Sequence, residues 1–180
     1  EVACEVDGVI DFSHHTAVGG LMDFCARKNL PVVVATTGHT PEEKAVIAAA
    51  SQNIPVFFSA NMSLGIATLC SFVKTAAKLF PDADIEIIEK HHNRKLDAPS
   101  GTALRLGEVI CEARDWAYDE VVRHGREGKT GKRPAVEIGM HSLRGGDVVG
   151  DHTVVFATGG ERVELTHKAS SRDTFVKGAL

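Results

Sequence analysis

Pro31-Val32-Val33-Val34-Ala35 runs straight into Thr36-Thr37-Gly38 and then into Thr40-Pro41-Glu42-Glu43. The first five residues are apolar without alternation and mostly β-branched, which reads as a strand buried in a parallel sheet. The last four read as a helix start. Thr40 can cap, Pro41 suits the first turn, where a missing N–H is no loss, and Glu43 completes a capping box. The helix is expected to reach residue 50, and residues 54–58 form the next strand. Upstream, Val9-Ile10-Asp11-Phe12 is an earlier short strand, and Ala17, Leu21, Phe24 and Cys25 then recur at helical spacing. The order βαβαβ implies a parallel sheet with helices on both faces. In such sheets ligands lie beyond the carboxyl ends of the strands. That singles out Ser13, Thr36-Thr37-Gly38 and Ser59-Ala60-Asn61-Met62.

Beyond Asn61 the pattern changes. Ile66, Leu69, Val73, Ala76, Ala77 and Phe80 share one face of a helix expected over 63–79. Residues 84–89 read as a strand, 91–100 as a loop and 101–114 as a helix. A polar, glycine-rich loop (123–133) precedes strand-like segments at 135–142, 147–157 and 161–169. Arg144-Gly145-Gly146-Asp147 and Thr158-Gly159-Gly160-Glu161 read as hairpin turns, so these strands are expected to pair antiparallel. A further helix begins at Asp173. The fold class is therefore α/β followed by α+β, with a boundary near Asn61 and no internal repeat.

Composition narrows the function classes. Apolar residues make up 43% of the 180, charged residues 24%, and the net charge is −4, which is ordinary for a globular protein and gives no reason to expect nucleic acid or a membrane as partner. The longest apolar runs are too short to span a bilayer, and no secretion signal is visible. Residue 1 is Glu rather than Met, so an upstream segment is expected. Cys4, Cys25, Cys70 and Cys111 form no CxxC pair. Three of them fall in predicted helices among apolar residues and read as small buried hydrophobes in a reducing compartment, not as a disulfide framework.

The chemistry is concentrated in Glu89-Lys90-His91-His92-Asn93-Arg94-Lys95-Leu96-Asp97-Ala98-Pro99-Ser100-Gly101-Thr102-Ala103. Two imidazoles, a guanidinium and an ammonium fall within residues 91–95. Such crowding disfavours each cation and favours release of a proton. Pro99 disfavours helix at Ala98, Ser100 can cap the helix that follows, and the amides of Gly101 and Thr102 then open it. A helix amino end is a carboxylate or phosphate site, and Gly101 lets a ligand approach the backbone closely. The residues alone support an anion-binding helix start beside several proton donors, or a solvated basic loop before a capped helix.

The whole string Glu-x-His-His-x-x-Lys-x-Asp-Ala-Pro-Ser-Gly-Thr-Ala closely resembles the signature of the dihydrodipicolinate reductases. Val9-Ile10-Asp11-Phe12-Ser13, Thr36-Thr37-Gly38, Ala60-Asn61-Met62-Ser63 with Gly65, and Thr166-His167-Lys168-Ala169-Ser170-Ser171-Arg172 match the family in order. The resemblance implies reduction of 4-hydroxy-tetrahydrodipicolinate to tetrahydrodipicolinate by NADH or NADPH, in lysine and diaminopimelate synthesis. It implies His91 as acid/base group and Lys95 as proton donor. His92, Ser100, Gly101, Thr102 and Arg172 would hold the two substrate carboxylates. Ala35, Thr36, Thr37 and Gly38, with Ser59, Ala60, Asn61 and Met62, would contact the cofactor on its nicotinamide side. Ala35 stands where the family usually carries Gly, and its methyl either crowds the nicotinamide or is tolerated. Met62 stands where some members carry Phe, and either side chain can pack on the ring.

The family further implies that 1–62 is the carboxyl-terminal part of a Rossmann-type dinucleotide-binding domain. Residues 63–172 would form a substrate-binding and oligomerisation domain with a mixed, largely antiparallel sheet, and 173–180 would begin a helix returning to the first domain. The glycine-rich pyrophosphate loop is expected before residue 1, and with it the residue that decides between NADH and NADPH. Tight dinucleotide binding by these 180 residues alone is not expected. A homotetramer in the cytoplasm (the plastid in a plant) is implied, with no metal.

Other constellations read more plainly. His14-His15 suits a loop near the cofactor better than a metal, because adjacent histidines do not easily share one ion. His141, His152 and His167 read as sheet residues rather than zinc ligands, with His167 and Lys168 bordering the site. Arg123, Arg126, Lys129, Lys132 and Arg133 lack interleaved aromatics and read as a flexible solvated loop. A related two-domain dehydrogenase is the neighbouring alternative, but a semialdehyde dehydrogenase needs a nucleophilic cysteine at a loop or helix start, and Cys70 and Cys111 fall mid-helix. A dicarboxylate-binding fragment without turnover is the alternative from another class.

Overall fold

A computed structural model describes residues 5–180; Cys4 lies outside the described residues. The chain divides into two compact units, one up to Met62 together with Ala179–Leu180, the other Ser63–Gly178.

The first unit is a parallel sheet of β1 (Val9–Asp11), β2 (Val32–Val34) and β3 (Val56–Phe58) in that order. A 3-10 turn (His15–Ala17) and α1 (Val18–Lys28) join the first two strands, and α2 (Pro41–Ala50) joins the second pair. The helix start at Thr40 forms as expected. The Thr40 hydroxyl accepts from the Glu43 N–H at 3.2 Å, and the Glu43 carboxylate accepts from the Thr40 N–H at 2.8 Å. The expectation of helices on both faces needs correction among the described residues. Val18, Met22 and Cys25 of α1 and Ile47 of α2 share one core with Val32 and Val34. Right-handed crossovers between strands in consecutive order put both helices on the same face. On the other face Ile10, Val33 and Phe57 form one row across the sheet, and Ile10 and Phe57 are exposed.

The second unit begins with α3 (Leu64–Leu79), capped by Ser63. Then come β4 (Asp84–His91), α4 (Gly101–Arg114), α5 (Tyr118–Val121), β5 (Val122–His124), β6 (Ile138–Arg144), β7 (Gly150–Ala157), β8 (Arg162–Ala169) and α6 (Asp173–Ala179). The sheet order is β5-β6-β4-β7-β8. It is mixed: β4 runs parallel to β6 and β6 to β5, while β4–β7 and β7–β8 are antiparallel. The second glycine pair is a hairpin, with the Thr158 N–H donating to the Glu161 carbonyl at 2.9 Å. The first is not. Strands β6 and β7 flank β4, and Arg144-Gly145-Gly146-Asp147 crosses over its end. There the Gly145 N–H donates to the His91 carbonyl at 3.0 Å, and the His92 N–H to the Val148 carbonyl at 2.7 Å. Strand β4 also runs two residues past the expected end, so His91 closes a strand rather than opening a loop.

Helices α3 and α4 cover one face of this sheet. Ile85 and Ile87 of β4, Ile138 and Met140 of β6, and Val154 and Phe156 of β7 point into that core. Period-2 alternation then carries the same inward rows on to Glu89 and His152, both buried. Polar groups therefore end the core rows at one end of the sheet.

The basic run between β5 and β6 is not simply solvated. Arg126 grips both oxygens of Glu86, at 3.0 and 2.7 Å, and also reaches Glu137. Arg133 bonds Glu86 at 3.2 Å and Asp84 at 2.9 Å, and His141 Nε2 lies 2.7 Å from Glu86. A Cβ on Gly139 would stand 1.9 Å from a Glu86 oxygen, so a larger residue there would push the Glu86 carboxylate out of this position. Burial raises the Glu86 pKa, but the bonds from Arg126, His141 and Arg133 outweigh it and hold the group at about 2. A carboxylate with a depressed folded pKa contributes stability that is full above its unfolded value of 4.5 and fades as pH falls towards 2. Between pH 7 and pH 3 the stability gap between wild type and Glu86→Gln should narrow by about 1–2 kcal/mol, allowing for solvent screening. Urea unfolding at both pH values measures it; a gap independent of pH would contradict the assignment.

No helix among the described residues is long and apolar enough to cross a membrane.

Candidate active site

The site is organised by one buried carboxylate. Glu89 has no exposed side-chain surface, and both its oxygens are filled. His91 Nδ1 lies 2.6 Å from Oε2, the Ser100 N–H donates to Oε1 at 3.1 Å, and the Arg144 guanidinium donates to each oxygen at 2.8 Å. Burial alone would raise the Glu89 pKa. The donors His91, Arg144 and Ser142 overcome it and keep the group ionised well below the usual carboxylate range. An ionised carboxylate only accepts, so the proton on His91 sits at Nδ1. Nε2 is then left without a proton. A Cβ at Gly150 would come within 3.0 Å of it, so glycine there keeps that side of the ring open.

The same carboxylate fixes the start of α4. Ser100 is the N-cap, and its hydroxyl accepts from the Ala103 N–H at 3.2 Å. Gly101 faces open space, and Thr102 is buried. The helix amino end, with its positive dipole end, therefore opens beside His91 through a shared partner. His152 adds a second link: its Nε2 is 2.9 Å from the Ser100 hydroxyl, and its ring meets that of His91 edge-on at 5.1 Å.

Lys95 follows in a tight turn, its N–H donating to the His92 carbonyl at 3.2 Å and its ammonium pairing with Asp97 at 2.8 Å. Arg172, in the segment after β8, brings its guanidinium within 3.4 Å of His92 Nε2. Burial, then Arg172, Arg94, His91 and Lys95, pushes the His92 pKa down. His152 likewise senses both His91 and Lys95. Residues 91, 92, 95, 100–102 and 172 are thus gathered at one end of the second unit's sheet.

In the first unit, Ala35 to Gly38 and Ser59 to Met62 follow the carboxyl ends of the adjacent strands β2 and β3. Thr36 is buried, its hydroxyl donating to Asp11 at 2.7 Å, and Ser13 binds the other Asp11 oxygen. Burial raises the Asp11 pKa, but Ser13 and Thr36 outweigh it and hold the carboxyl below its ordinary value. Thr37, Gly38 and Ala60 remain exposed. The Ser59 hydroxyl bonds within its own turn, to the Asn61 carbonyl at 2.8 Å, and Met62 is buried. Gly38 adopts φ 84, a left-handed conformation that glycine tolerates without strain.

Three residues of the site escaped the sequence reading of roles: Glu89, Arg144 and His152. The signal for Glu89 and His152 was a polar residue continuing a buried apolar row at period 2. Arg144 was hidden in a sequence that imitates a hairpin turn. Among the described residues no group of three or more His, Cys, Asp or Glu could hold a metal ion. Burial pushes the thiols of Cys25, Cys70 and Cys111 up, the opposite of what a nucleophile needs.

Comparison with known proteins identifies the family. Residues 1–62 match the family model for the N-terminus of dihydrodipicolinate reductase, and residues 65–180 match the model for its C-terminus. The chain is 53% identical over 175 residues to a 4-hydroxy-tetrahydrodipicolinate reductase of Akkermansia muciniphila, covering 97% of this chain and 71% of that protein. Among solved structures it resembles a dipicolinate-bound dihydrodipicolinate reductase from Paenisporosarcina sp. TG-14, with a TM-score of 0.70 and 30% identity. That match covers 96% of this chain and 65% of the other. A probable dehydrogenase from Thermotoga maritima shares the fold, with a TM-score of 0.58 at 9% identity over 94% of this chain and 59% of that one. The chain belongs to the dihydrodipicolinate reductase family, oxidoreductases that use NADH or NADPH in lysine and diaminopimelate biosynthesis.

Proposed function

We propose that this protein reduces 4-hydroxy-tetrahydrodipicolinate to tetrahydrodipicolinate, with His91 and Lys95 handling the proton. The observation that carries the reading is the Glu89 carboxylate, which binds His91 and the N-cap of α4, Ser100, at once. In the net reaction the hydroxyl leaves as water together with a ring hydrogen, one hydride and one proton enter the ring, and NAD(P)+ is released. The bound nicotinamide supplies the hydride. Hydride arriving on an unsaturated ring leaves an electron pair that must be protonated nearby. His91 Nε2 serves as the acid/base nitrogen because Nδ1 is committed to Glu89. Lys95 serves as proton donor, held by Asp97. The start of α4 at Ser100, Gly101 and Thr102 receives one carboxylate, and His92 with Arg172 receives the other. A ligand held by both carboxylates presents its ring at fixed distance from the donors, which lowers the entropic part of the barrier.

The first unit fits the nicotinamide half of the cofactor. Thr37, Gly38 and Ala60 are exposed at the tips of adjacent parallel strands. His39 stands buried at the same tip, edge-on to Phe58, with neither ring nitrogen hydrogen-bonded. Those orphaned nitrogens suit a polar ligand. Ala35, Thr36, Ser59, Asn61 and Met62 complete the contact set, Thr36 acting through Asp11.

The protein works in the cytoplasm as a homotetramer built on the second unit. The sheet face opposite α3 and α4 supports this: Ile88, His141, Thr153, Val155 and Thr166 lie on it, and none is buried. Incubation of the full-length protein with freshly made dihydrodipicolinate synthase product should consume NADH or NADPH. No consumption by a protein that still binds dipicolinate would overturn the reading.

A further inference from the structure

His152 stands on β7, opposite Glu89 across one ladder and opposite His167 across the other. It continues the inward row of Val154 and Phe156 and is buried. An imidazole is a costly choice there. Its Nδ1 has no hydrogen-bond partner, and a buried polar atom left unpaired is a penalty that an aliphatic side chain avoids. What the ring gains is two contacts. Its Nε2 lies 2.9 Å from the Ser100 hydroxyl, and its plane stands at 74° to that of His91, 5.1 Å between centroids. The Ser100 oxygen already accepts from the Ala103 N–H, so its own hydrogen is left to point at His152. Since Glu89 holds both the Ser100 N–H and His91 Nδ1, the four residues Glu89, His91, His152 and Ser100 close a ring of contacts.

We propose that His152 is a positioning residue: by holding the Ser100 hydroxyl and packing edge-on against His91, it sets the spacing between the carboxylate-gripping start of α4 and the imidazole that transfers the proton. This rests on the reductase reading of the same site. Burial, and after it the neighbouring His91, holds the His152 pKa down at about 3, against the weaker pull of Glu89. The ring is therefore uncharged at neutral pH. It acts through Ser100 and His91, not as an acid.

The test compares full-length wild type with His152→Gln, His152→Asn and His152→Leu by dipicolinate calorimetry, steady-state kinetics and thermal unfolding. Gln places an amide near the reach of Nε2, Asn places one near Nδ1, and Leu has neither. Dipicolinate affinity and kcat/KM for the dicarboxylate should fall about 10-fold or more for Leu and Asn, and stay within about threefold for Gln. KM for the dinucleotide should not move, and the Leu variant should unfold no earlier than wild type, which separates positioning from mere support of the fold. A Leu variant that binds dipicolinate like wild type, or Gln and Asn variants that behave alike, overturns the proposal. A wild type that binds dipicolinate without turnover overturns the reductase reading instead, and the binding series then judges His152 by itself.

Discussion

Replacing Glu89 by Gln lowers kcat by about 10²- to 10⁴-fold, the range expected when an acid/base imidazole is put in the wrong tautomer. A carboxylate can only accept from His91 Nδ1. A carboxamide can instead turn its NH2 towards that nitrogen, moving the ring proton to Nε2 and removing the bare nitrogen that faces the ligand. The same change removes the counter-charge of Arg144, which bonds both Glu89 oxygens. Breaking one side of a partly buried ion pair costs more than the pair itself is worth. Arg144 retains 21% exposure, so the stability loss should be about 1–3 kcal/mol. The double variant Glu89→Gln, Arg144→Gln separates the two effects. It should recover stability and leave the rate low. Steady-state kinetics beside thermal unfolding measures both, and recovery of the rate in the double variant would mean that Glu89 serves only as the counter-ion of Arg144.

Replacing Lys95 by Ala lowers kcat by about 10²- to 10³-fold, in line with removal of a positioned proton donor. Its ammonium is fixed by Asp97 at 2.8 Å and stands in the cation group that His92 and His152 both sense. A positive charge alone could account for part of its contribution, because two carboxylates must be held. Lys95→Arg distinguishes the possibilities. Guanidinium keeps the charge and does not give up a proton near neutral pH. The Arg variant should therefore keep dipicolinate affinity within about threefold of wild type while kcat stays near that of the Ala variant. Arg supporting wild-type turnover would reduce Lys95 to a charge.

Residues whose information is local were legible before the structure. Thr40, Pro41 and Glu43 announce their helix within one turn, and Ser100 does the same for α4. Short β-branched runs at 31–35 and 54–58 placed the parallel strands. What failed was long-range pairing. Arg144-Gly145-Gly146-Asp147 has the composition of a hairpin, yet β4 inserts between β6 and β7, from a part of the chain some fifty residues earlier (Glu89 lies 55 positions before Arg144). No local rule reports such an insertion. That one misplacement concealed the route by which Arg144 reaches Glu89. The basic loop before β6 was misread for a similar reason: the partners of Arg126 and Arg133 include Glu86 and Asp84 on β4, far away in sequence. Strand β5 is only three residues long and carries no alternation that a sequence could display.

The most direct test is a crystal structure of the full-length protein with dipicolinate bound. The expected result is one ligand carboxylate on the amides that open α4, the other between His92 and Arg172, and the ring facing His91 Nε2 and the Lys95 ammonium. Dipicolinate seated away from the α4 opening, or His91 turned so that Nε2 rather than Nδ1 meets Glu89, would contradict it.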